Sequence, residues 1–309
     1  MMGETEQGGA KQVAQKQIQL RSGWRPKVTA LVPCYNSAAF ISRTLDSLAA
    51  QTWDNIEILV GEDNSTDATF EIVSAFAGGR DDVRILRRDK NLGWLKNSND
   101  LMANASGELM FFAFHDDVID PTYIEALVRA LDANPEAVLS FSDVEVIEVS
   151  GESATWKFDL LESLQDGFAR GRAMARQPHG WWVPNRGVFR AWAFHRSGGI
   201  KPNSQGEFSA DWTWLLHLSL LGGFVRVPQV LCHKYYRAGS ISRRWDRNST
   251  QRRALRAAGI REVWHSEAGL AQRAFLAVYI ALRPWRWVPR SREAQRRRNR
   301  QSVHGSPDK

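Results

Sequence analysis

Three polar clusters in this sequence could act on one substrate. Pro33-Cys34-Tyr35-Asn36 closes an apolar run that begins at Val28. Glu62-Asp63-Asn64-Ser65-Thr66-Asp67 closes a second run, begun at Ile56, and His115-Asp116-Asp117 closes a third, begun at Leu109. Two adjacent carboxylates on a loop bind phosphate poorly. They hold a hard divalent cation well, and the cation can then take diphosphate oxygens. No G-x-G-x-x-G follows the first run and no G-x-x-x-x-G-K-[ST] is present, so dinucleotide and P-loop readings lack their phosphate loop. The clusters instead suit a nucleoside-diphosphate substrate bridged by Mg²⁺ or Mn²⁺.

They can meet only if the elements before them end at one edge. Short apolar runs rich in β-branched residues begin near Val28, Ile56, Val83, Leu109 and Ala137, at separations of 28, 27, 26 and 28 residues. That is the length of a strand, a helix and two loops. Asn36-Ser37 caps a helix expected over Ala38–Ala50. Ser65 or Thr66 starts one that runs to Phe76 and stops at Gly78-Gly79, and Asp120-Pro121 opens one that ends near Asn134-Pro135. The expected fold is α/β, a central, mainly parallel sheet with helices on both faces, and ligands of such sheets lie outside the carboxyl ends of the strands. From about Gly151 the rhythm breaks. Residues 151–206 are rich in Gly, Trp and Arg with few strand signals. A helix over Ser209–Leu221, short strands at Phe224–Val227 and Gln229–Tyr236, and a helical stretch over 249–283 follow.

Composition excludes a disordered or fibrous chain for most of the 309 residues, with 43% hydrophobic and 24% charged. The net charge of +7 is unevenly placed, because residues 251–300 hold 13 Arg and no Lys against 3 Glu. Residues 1–250 hold 27 Lys plus Arg against 30 Asp plus Glu, a net −3. A basic segment suits an anionic membrane surface or nucleic acid, and without a base-reading motif nucleic acid is not expected. Ala274–Leu282 is apolar all round and flanked by Arg273 and by Arg283-Pro284-Trp285-Arg286-Trp287, the pattern of an interfacial anchor. Cys34 and Cys232 give neither a disulfide framework nor zinc spacing, so a reducing compartment is expected. The first 24 residues lack an apolar signal core, and no run reaches the ~20 residues that span a bilayer. The expected location is cytoplasmic, or peripheral on the inner face of the cell membrane.

Val28–Asn36 (VTALVPCYN), Leu59–Thr69 (LVGEDNSTDAT), Asn91–Asn99 (NLGWLKNSN), Gly107–Pro121 (GELMFFAFHDDVIDP), Asp211–Gly222 (DWTWLLHLSLLG) and Val227–Ser242 (VPQVLCHKYYRAGSIS) stand in an order and at separations that resemble the family 2 glycosyltransferases. The resemblance covers about residues 27–242 and implies a Rossmann-like GT-A fold with a C-terminal helical extension. It implies an inverting enzyme that moves a sugar from a nucleoside-diphosphate-sugar, UDP type favoured, to a saccharide or lipid-linked acceptor in cell-envelope polysaccharide or glycolipid assembly. It divides the chain into an N-terminal arm (1–25), a transferase domain (26–248, with a donor half over 26–150 and an acceptor half over 151–248), a helical extension (249–289) and a basic tail (290–309).

Carried over position by position, Asp211 matches the catalytic base, with Glu207 a nearby second choice. Pro33, Tyr35, Asn36, Asp63, Asn91, Gly93 and Asp116 match the nucleotide-sugar site, with Asp63 on the base. Arg237 and Arg244 are placed to close over the diphosphate. Asp117, with Asp116 beside it, matches the metal position, and His115 is expected to be a hydrogen-bonded loop residue. Trp181, Trp182 and Trp212, with Glu207, are acceptor-side candidates, since sugar faces pack on indole. Two positions depart from the family pattern. Phe114 stands where many members have the first motif Asp, and Arg237 where many have His. They put metal use in doubt and leave a non-catalytic nucleotide-sugar-binding member as the alternative. A sugar nucleotidyltransferase would want a Gly/Arg/Lys-rich loop where Val32–Asn36 stands.

Overall fold

The computed structural model describes residues 23–162, 164, 166–237 and 248–283. Strands β1 (Val28–Cys34), β2 (Ile56–Glu62), β3 (Val83–Arg87) and β4 (Leu109–Phe112) run parallel in the order β3-β2-β1-β4. Helices α1 (Ile41–Ala49), α2 (Thr69–Ala77) and α3 (Trp94–Asn104) carry the crossovers. Strand β1 is buried throughout, as a strand covered on both faces must be. Because these strands share a direction, the three polar clusters emerge at one edge.

The remaining strands extend the sheet in mixed sense. These are β5 (Asp117–Ile119), then, after α4 (Tyr123–Ala133), β6 (Ala137–Ile147) and β7 (Ser153–Trp156). After α5 (Gly167–Ala175) and a 3₁₀ turn (Val183–Arg186) come β8 (Val188–Arg190), α6 (Ala191–Ser197), α7 (Ala210–Leu221) and β9 (Gly223–Tyr235). The full order is β3-β2-β1-β4-β8-β6-β9-β5, with β7 on β6. β8 pairs antiparallel with both β4 and β6, β9 runs parallel to β6, and β5 pairs antiparallel with β9. Helices α8 (Ser249–His265) and α9 (Leu270–Leu282) pack against α5 and α7.

Several boundaries differ from the sequence expectation. Helix α1 starts three residues late, at Ile41, because the backbone carbonyl of Ser37 takes the Phe40 and Ile41 N–H groups. Helix α2 starts at Thr69; Asp67 accepts from the Thr69 N–H at 3.0 Å, while the Ser65 hydroxyl is turned to the Asn36 N–H. The two expected strands near residue 228 are one strand. Pro228 has no N–H to give, and the pairing with β6 slips between Ser142/Val227 and Asp143/Val230. The helical stretch over 249–283 is two helices, broken at Ser266–Gly269. Within the expected arm, residues up to 22 lie outside the described residues, whereas Trp24 packs on the core and Arg25 pairs with Asp54. The basic tail also lies outside them.

Glu57 ties the parallel half together. Its carboxylate is buried on β2 and accepts from Thr29 Oγ1 (2.7 Å), Ser106 N (2.9 Å), Ser106 Oγ (2.8 Å) and Arg84 Nη1 (2.6 Å). Burial alone would raise its pKa, but these donors outweigh it and hold the group at about 2. Its stabilisation is present above the ordinary carboxylate range and is lost as pH falls toward 2. Glu57→Ala strands the Thr29 and Ser106 donors, and chemical denaturation at pH 7 is expected to show a loss of roughly 2–4 kcal/mol. An unchanged midpoint would contradict the role.

Candidate active site

The first two clusters are laced together at the carboxyl ends of β1 and β2. Asn36 adopts φ 48°, in the left-handed region that Asn tolerates better than most residues. Its N–H donates to Ser65 Oγ at 3.0 Å, and its side-chain carbonyl accepts from the Thr66 N–H at 2.8 Å. Tyr35 stands exposed at the rim. The Pro33 carbonyl lies 2.9 Å from His115 Nδ1, which brings the third cluster to the first and makes His115 the hydrogen-bonded loop residue expected.

Asp63 does not cap α2. Its two oxygens accept the Leu92 and Gly93 N–H groups at 2.7 and 2.9 Å, so it pins the loop before α3. Asn91 Oδ1 also accepts from Gly93, at 3.0 Å. Glu207 reaches the same place from the far side of the chain and accepts the Leu95 N–H at 3.2 Å. Asp63, Asn91, Gly93 and Glu207 therefore converge on the amino end of α3, where unpaired N–H groups favour carboxylates. Burial pushes the pKa of both carboxyls upward. Glu207 braces this helix end through Oε1.

Asp116 and Asp117 differ sharply in surroundings. Asp117 is 4% exposed, and its Oδ2 lies 2.6 Å from Arg186 Nε. Arg186 is buried too. Its guanidinium lies 4.9 Å from the Phe114 ring centre and 5.1 Å from that of Trp182. Burial works against its charge, but Asp117 and Asp116 outweigh it and hold the guanidinium above its ordinary pKa. Asp117 Oδ1 has no hydrogen-bond partner among the described residues and faces Lys234 Nζ at 3.9 Å, as the β5–β9 register dictates by setting Asp117 opposite Lys234. Asp116 is half-buried. Burial would raise its pKa, yet Lys234, His115, Arg186 and Arg237 together hold it below the ordinary value. Arg237 lies over the Phe40 ring. Arg244 lies outside the described residues.

Asp211 sits in the first turn of α7, behind Ser209, whose φ of 48° turns the chain into the helix. Its Oδ1 accepts the Trp212 N–H at 3.1 Å, and Asn185 Nδ2 approaches its Oδ2 at 3.4 Å. Burial raises its pKa to about 6, against the opposing pull of Arg186 and Lys234. Asp211, Arg186, Lys234 and Asp116 thus form one electrostatic group. Sequence reasoning missed two of its members, Arg186 and Lys234, and the neighbouring Asn185. The lysine lies in a strand that also carries Arg226, Gln229 and His233 and so is not singled out there, and nothing in the run Val183–Arg186 marks it as part of the site.

The tryptophans divide. Trp212 is 0% exposed with its indole N–H on the Met174 carbonyl, so the acceptor-side expectation for it is corrected to a core role. Trp214 is likewise core. Trp181 is half-buried, and Trp182 lies under Arg186 and packs at 5.3 Å on Trp156, which stacks on His179 at 4.4 Å. A shallow concavity lined by Trp24, Glu108, Arg190 and Trp192 lies by the amino end of β4, away from these groups.

Residues 29–193, more than half the chain, match the family model described as glycosyl transferase family 2. The chain belongs to this family. Glycosyltransferase GlyA of Streptococcus pneumoniae is 39% identical over 106 residues, covering 34% of this chain and 15% of that protein. The putative glycosyltransferase EpsH of Bacillus subtilis is 32% identical over 142 residues, covering 46% of this chain and 40% of that one. The chain thus spans well under half the length of both relatives. Among solved structures, Staphylococcus aureus TarS 1–349 in complex with UDP-GlcNAc has a TM-score of 0.65 at 17% identity, over 82% of this chain and 71% of that one. The mannosyltransferase PcManGT of Pyrobaculum calidifontis, in complex with GDP-Man and Mn²⁺, has a TM-score of 0.50 at 17% identity, over 86% and 83%. These likenesses establish the GT-A fold for this family 2 glycosyltransferase.

The α3 loop gives a direct check on the geometry. Gly93 has φ 82°, and a Cβ there would stand 2.9 Å from Glu207 Oε1. Gly93→Ala is expected to cost about 1–2 kcal/mol, from the left-handed backbone and the displaced carboxylate together. A melting temperature equal to that of the parent chain would contradict this role of the loop.

Proposed function

We propose that this transferase moves a sugar with inversion from a nucleoside-diphosphate-sugar, UDP type favoured, to a hydroxyl of a saccharide or lipid-linked acceptor in cell-envelope glycan assembly. The observation that carries the reading is the Asp211 carboxyl: it is half-buried, held near pKa 6, and grouped with Asp116, Arg186 and Lys234 beyond the carboxyl ends of the sheet. A carboxylate of that pKa is ionised at neutral pH yet basic enough to take a proton as a bond forms. The acceptor oxygen attacks the anomeric carbon as Asp211 removes its proton. The bond from that carbon to the diphosphate breaks, and its electron pair leaves with the diphosphate. Asn185 steadies the Asp211 oxygen that is not engaged with the helix. One protein carboxylate suffices for such a single displacement, unlike the pair in a glycosidase. The loop Asn91–Gly93 that Asp63 pins, together with Pro33, Tyr35 and Asn36, is assigned to the nucleoside. The same placement of Asp211 disfavours a member that binds donor without turning it over.

Metal use is common in this fold, and PcManGT was solved with Mn²⁺. The donor set here does not fit a resident ion. Asp117 spends Oδ2 on Arg186 and faces Lys234 Nζ at Oδ1, Phe114 stands in place of a third carboxylate, and Asp116, the carboxylate left open, lies among Lys234, Arg186 and Arg237, whose charges repel a dication. No step is derived through a metal.

Helix α9 supports a membrane contact. Among the described residues no helix is long and apolar enough to cross a bilayer. Yet α9 buries only Leu276 and Ile280, and it exposes Leu270 ahead of Arg273 and Phe275, Val278 and Leu282 between Arg273 and Arg283. Apolar side chains flanked by arginine suit an anionic lipid surface, which would bring the enzyme to a lipid-linked acceptor.

Two outcomes are expected. Asp211→Asn folds with an unaltered circular dichroism spectrum and loses transfer by at least ~100-fold, while parent activity rises with pH through about 6. Retention of most of the rate, or a flat profile between pH 5 and 7, would contradict Asp211 as base. Vesicles containing phosphatidylglycerol are expected to carry the full chain upward in a flotation gradient, and Phe275→Glu with Val278→Glu to leave it at the bottom. Equal flotation of both would reject the α9 surface.

A further inference from the structure

The group around Asp116 and Asp117 is richer in positive charge than an acidic motif suggests. Arg186, Lys234 and Arg237 all act on the two carboxylates. Arg186 is committed: its Nε is bound to Asp117 and its guanidinium is covered by Phe114 and Trp182. Phe114 occupies the place of the first motif carboxylate, so a ring beneath a guanidinium replaces an acid that would have faced the ion.

Lys234 is different. Its side chain is only 13% exposed, and among the described residues its ammonium donates no hydrogen bond. It stands 3.9 Å from Asp117 Oδ1, beyond hydrogen-bond reach, and Tyr236 offers it a ring face at 5.0 Å. It bears on Asp116 and Asp211 as well. An ammonium carries three donors, and one held at that distance from its carboxylate keeps them for a further anionic partner. The group that fits is anionic, carries several acceptor oxygens, and lies between the acidic pair and the catalytic base. A diphosphate oxygen in the donor site meets all three conditions.

We infer that Lys234 takes the place of a divalent ion in this enzyme, binding the diphosphate of the donor and receiving the charge that develops on it as the sugar leaves. This role rests on the donor-site reading of the proposed function. In the transfer step the anomeric carbon gains a bond to the acceptor oxygen and loses its bond to the phosphate oxygen. The acceptor proton goes to Asp211, and the electron pair left on the diphosphate is met by the Lys234 ammonium, which keeps its protons. Preorganised charge of this kind acts without solvent rearrangement. Arg186 is a positioning residue here: by neutralising Asp117 it keeps that carboxylate from capturing the lysine outright.

The test is thermal stabilisation by UDP and GDP, each at 5 mM with 1 mM EDTA, or at 5 mM with 5 mM MnCl₂ and no chelator, using the full chain. Binding to the folded state alone raises the melting temperature. The parent protein should shift equally with EDTA and with Mn²⁺. Lys234→Gln should keep its own ligand-free melting temperature within a few degrees and lose the shift, and Lys234→Arg should retain part of it. Transfer by the parent should be unchanged by EDTA and fall at least ~100-fold in Lys234→Gln. A shift that appears only with Mn²⁺, or a full shift in Lys234→Gln, overturns the inference and leaves the donor site standing. No shift with either nucleotide in any condition overturns the donor-site reading and the inference with it.

Discussion

The buried pair of Asp117 and Arg186 is the constraint on which the rest of the site depends. It joins the short strand β5 to the 3₁₀ turn that precedes β8, two segments 69 residues apart in sequence. The Asp117 carbonyl also accepts from Thr44 on α1 at 2.7 Å, and the Tyr123 hydroxyl donates to the Arg186 carbonyl. One ion pair thus fixes α1, α4, β5 and the turn against each other. Losing either partner would strand a charge away from water, at roughly 3–5 kcal/mol. Gly187 is required next to it, because a Cβ there would collide with the Ser140 carbonyl of β6.

The pair imposes a division of labour on two adjacent acids. Asp117 is spent on architecture, which leaves Asp116 as the more exposed carboxylate of the two, with Lys234 as a cation acting on both. Asp211 comes from a different element, the first turn of α7, whose body is anchored by Trp212 and Trp214 in the core. The proposed base is therefore held by packing, and the cation proposed to face the leaving group stands beside an ion pair. Those are rigid supports of different kinds for two groups that must be correctly spaced. Further out, the amino end of α3 is held by Asp63 from the end of β2 and by Glu207 from the segment before α7, so the loop before α3 is braced from both sides.

The parallel half of the fold was legible in the sequence because its strands are buried on both faces and end in polar clusters at regular separations. Asp211 was legible only through resemblance, since one Asp before an apolar helix reads equally well as a cap. In the second half α7, β9 and the two C-terminal helices were legible in outline, and the stretch between β6 and α7 was not. β7 is a four-residue hairpin return on β6, and β8 is three residues long and gains its order from β4 and β6, far away in sequence. Arg186 and Lys234 escaped for a related reason. A buried cation is marked by its partner, and Asp117 stands 69 residues before one and opposite the other only through the β5–β9 register. Trp212 was misplaced on the acceptor side because composition cannot tell a tryptophan that stacks on a sugar from one that fills a core.

The central claim is that donor and base meet where Asp116, Lys234 and Asp211 converge. The most direct measurement is a crystal structure of the chain with bound nucleoside diphosphate, grown in the presence of EDTA. The nucleoside is expected along Pro33–Asn36 and the Asn91–Gly93 loop, with a terminal phosphate oxygen in hydrogen-bond reach of Lys234 Nζ and the Asp211 carboxylate on the open side of that phosphate. A nucleotide bound elsewhere, or one whose diphosphate turns away from Lys234, would contradict the claim.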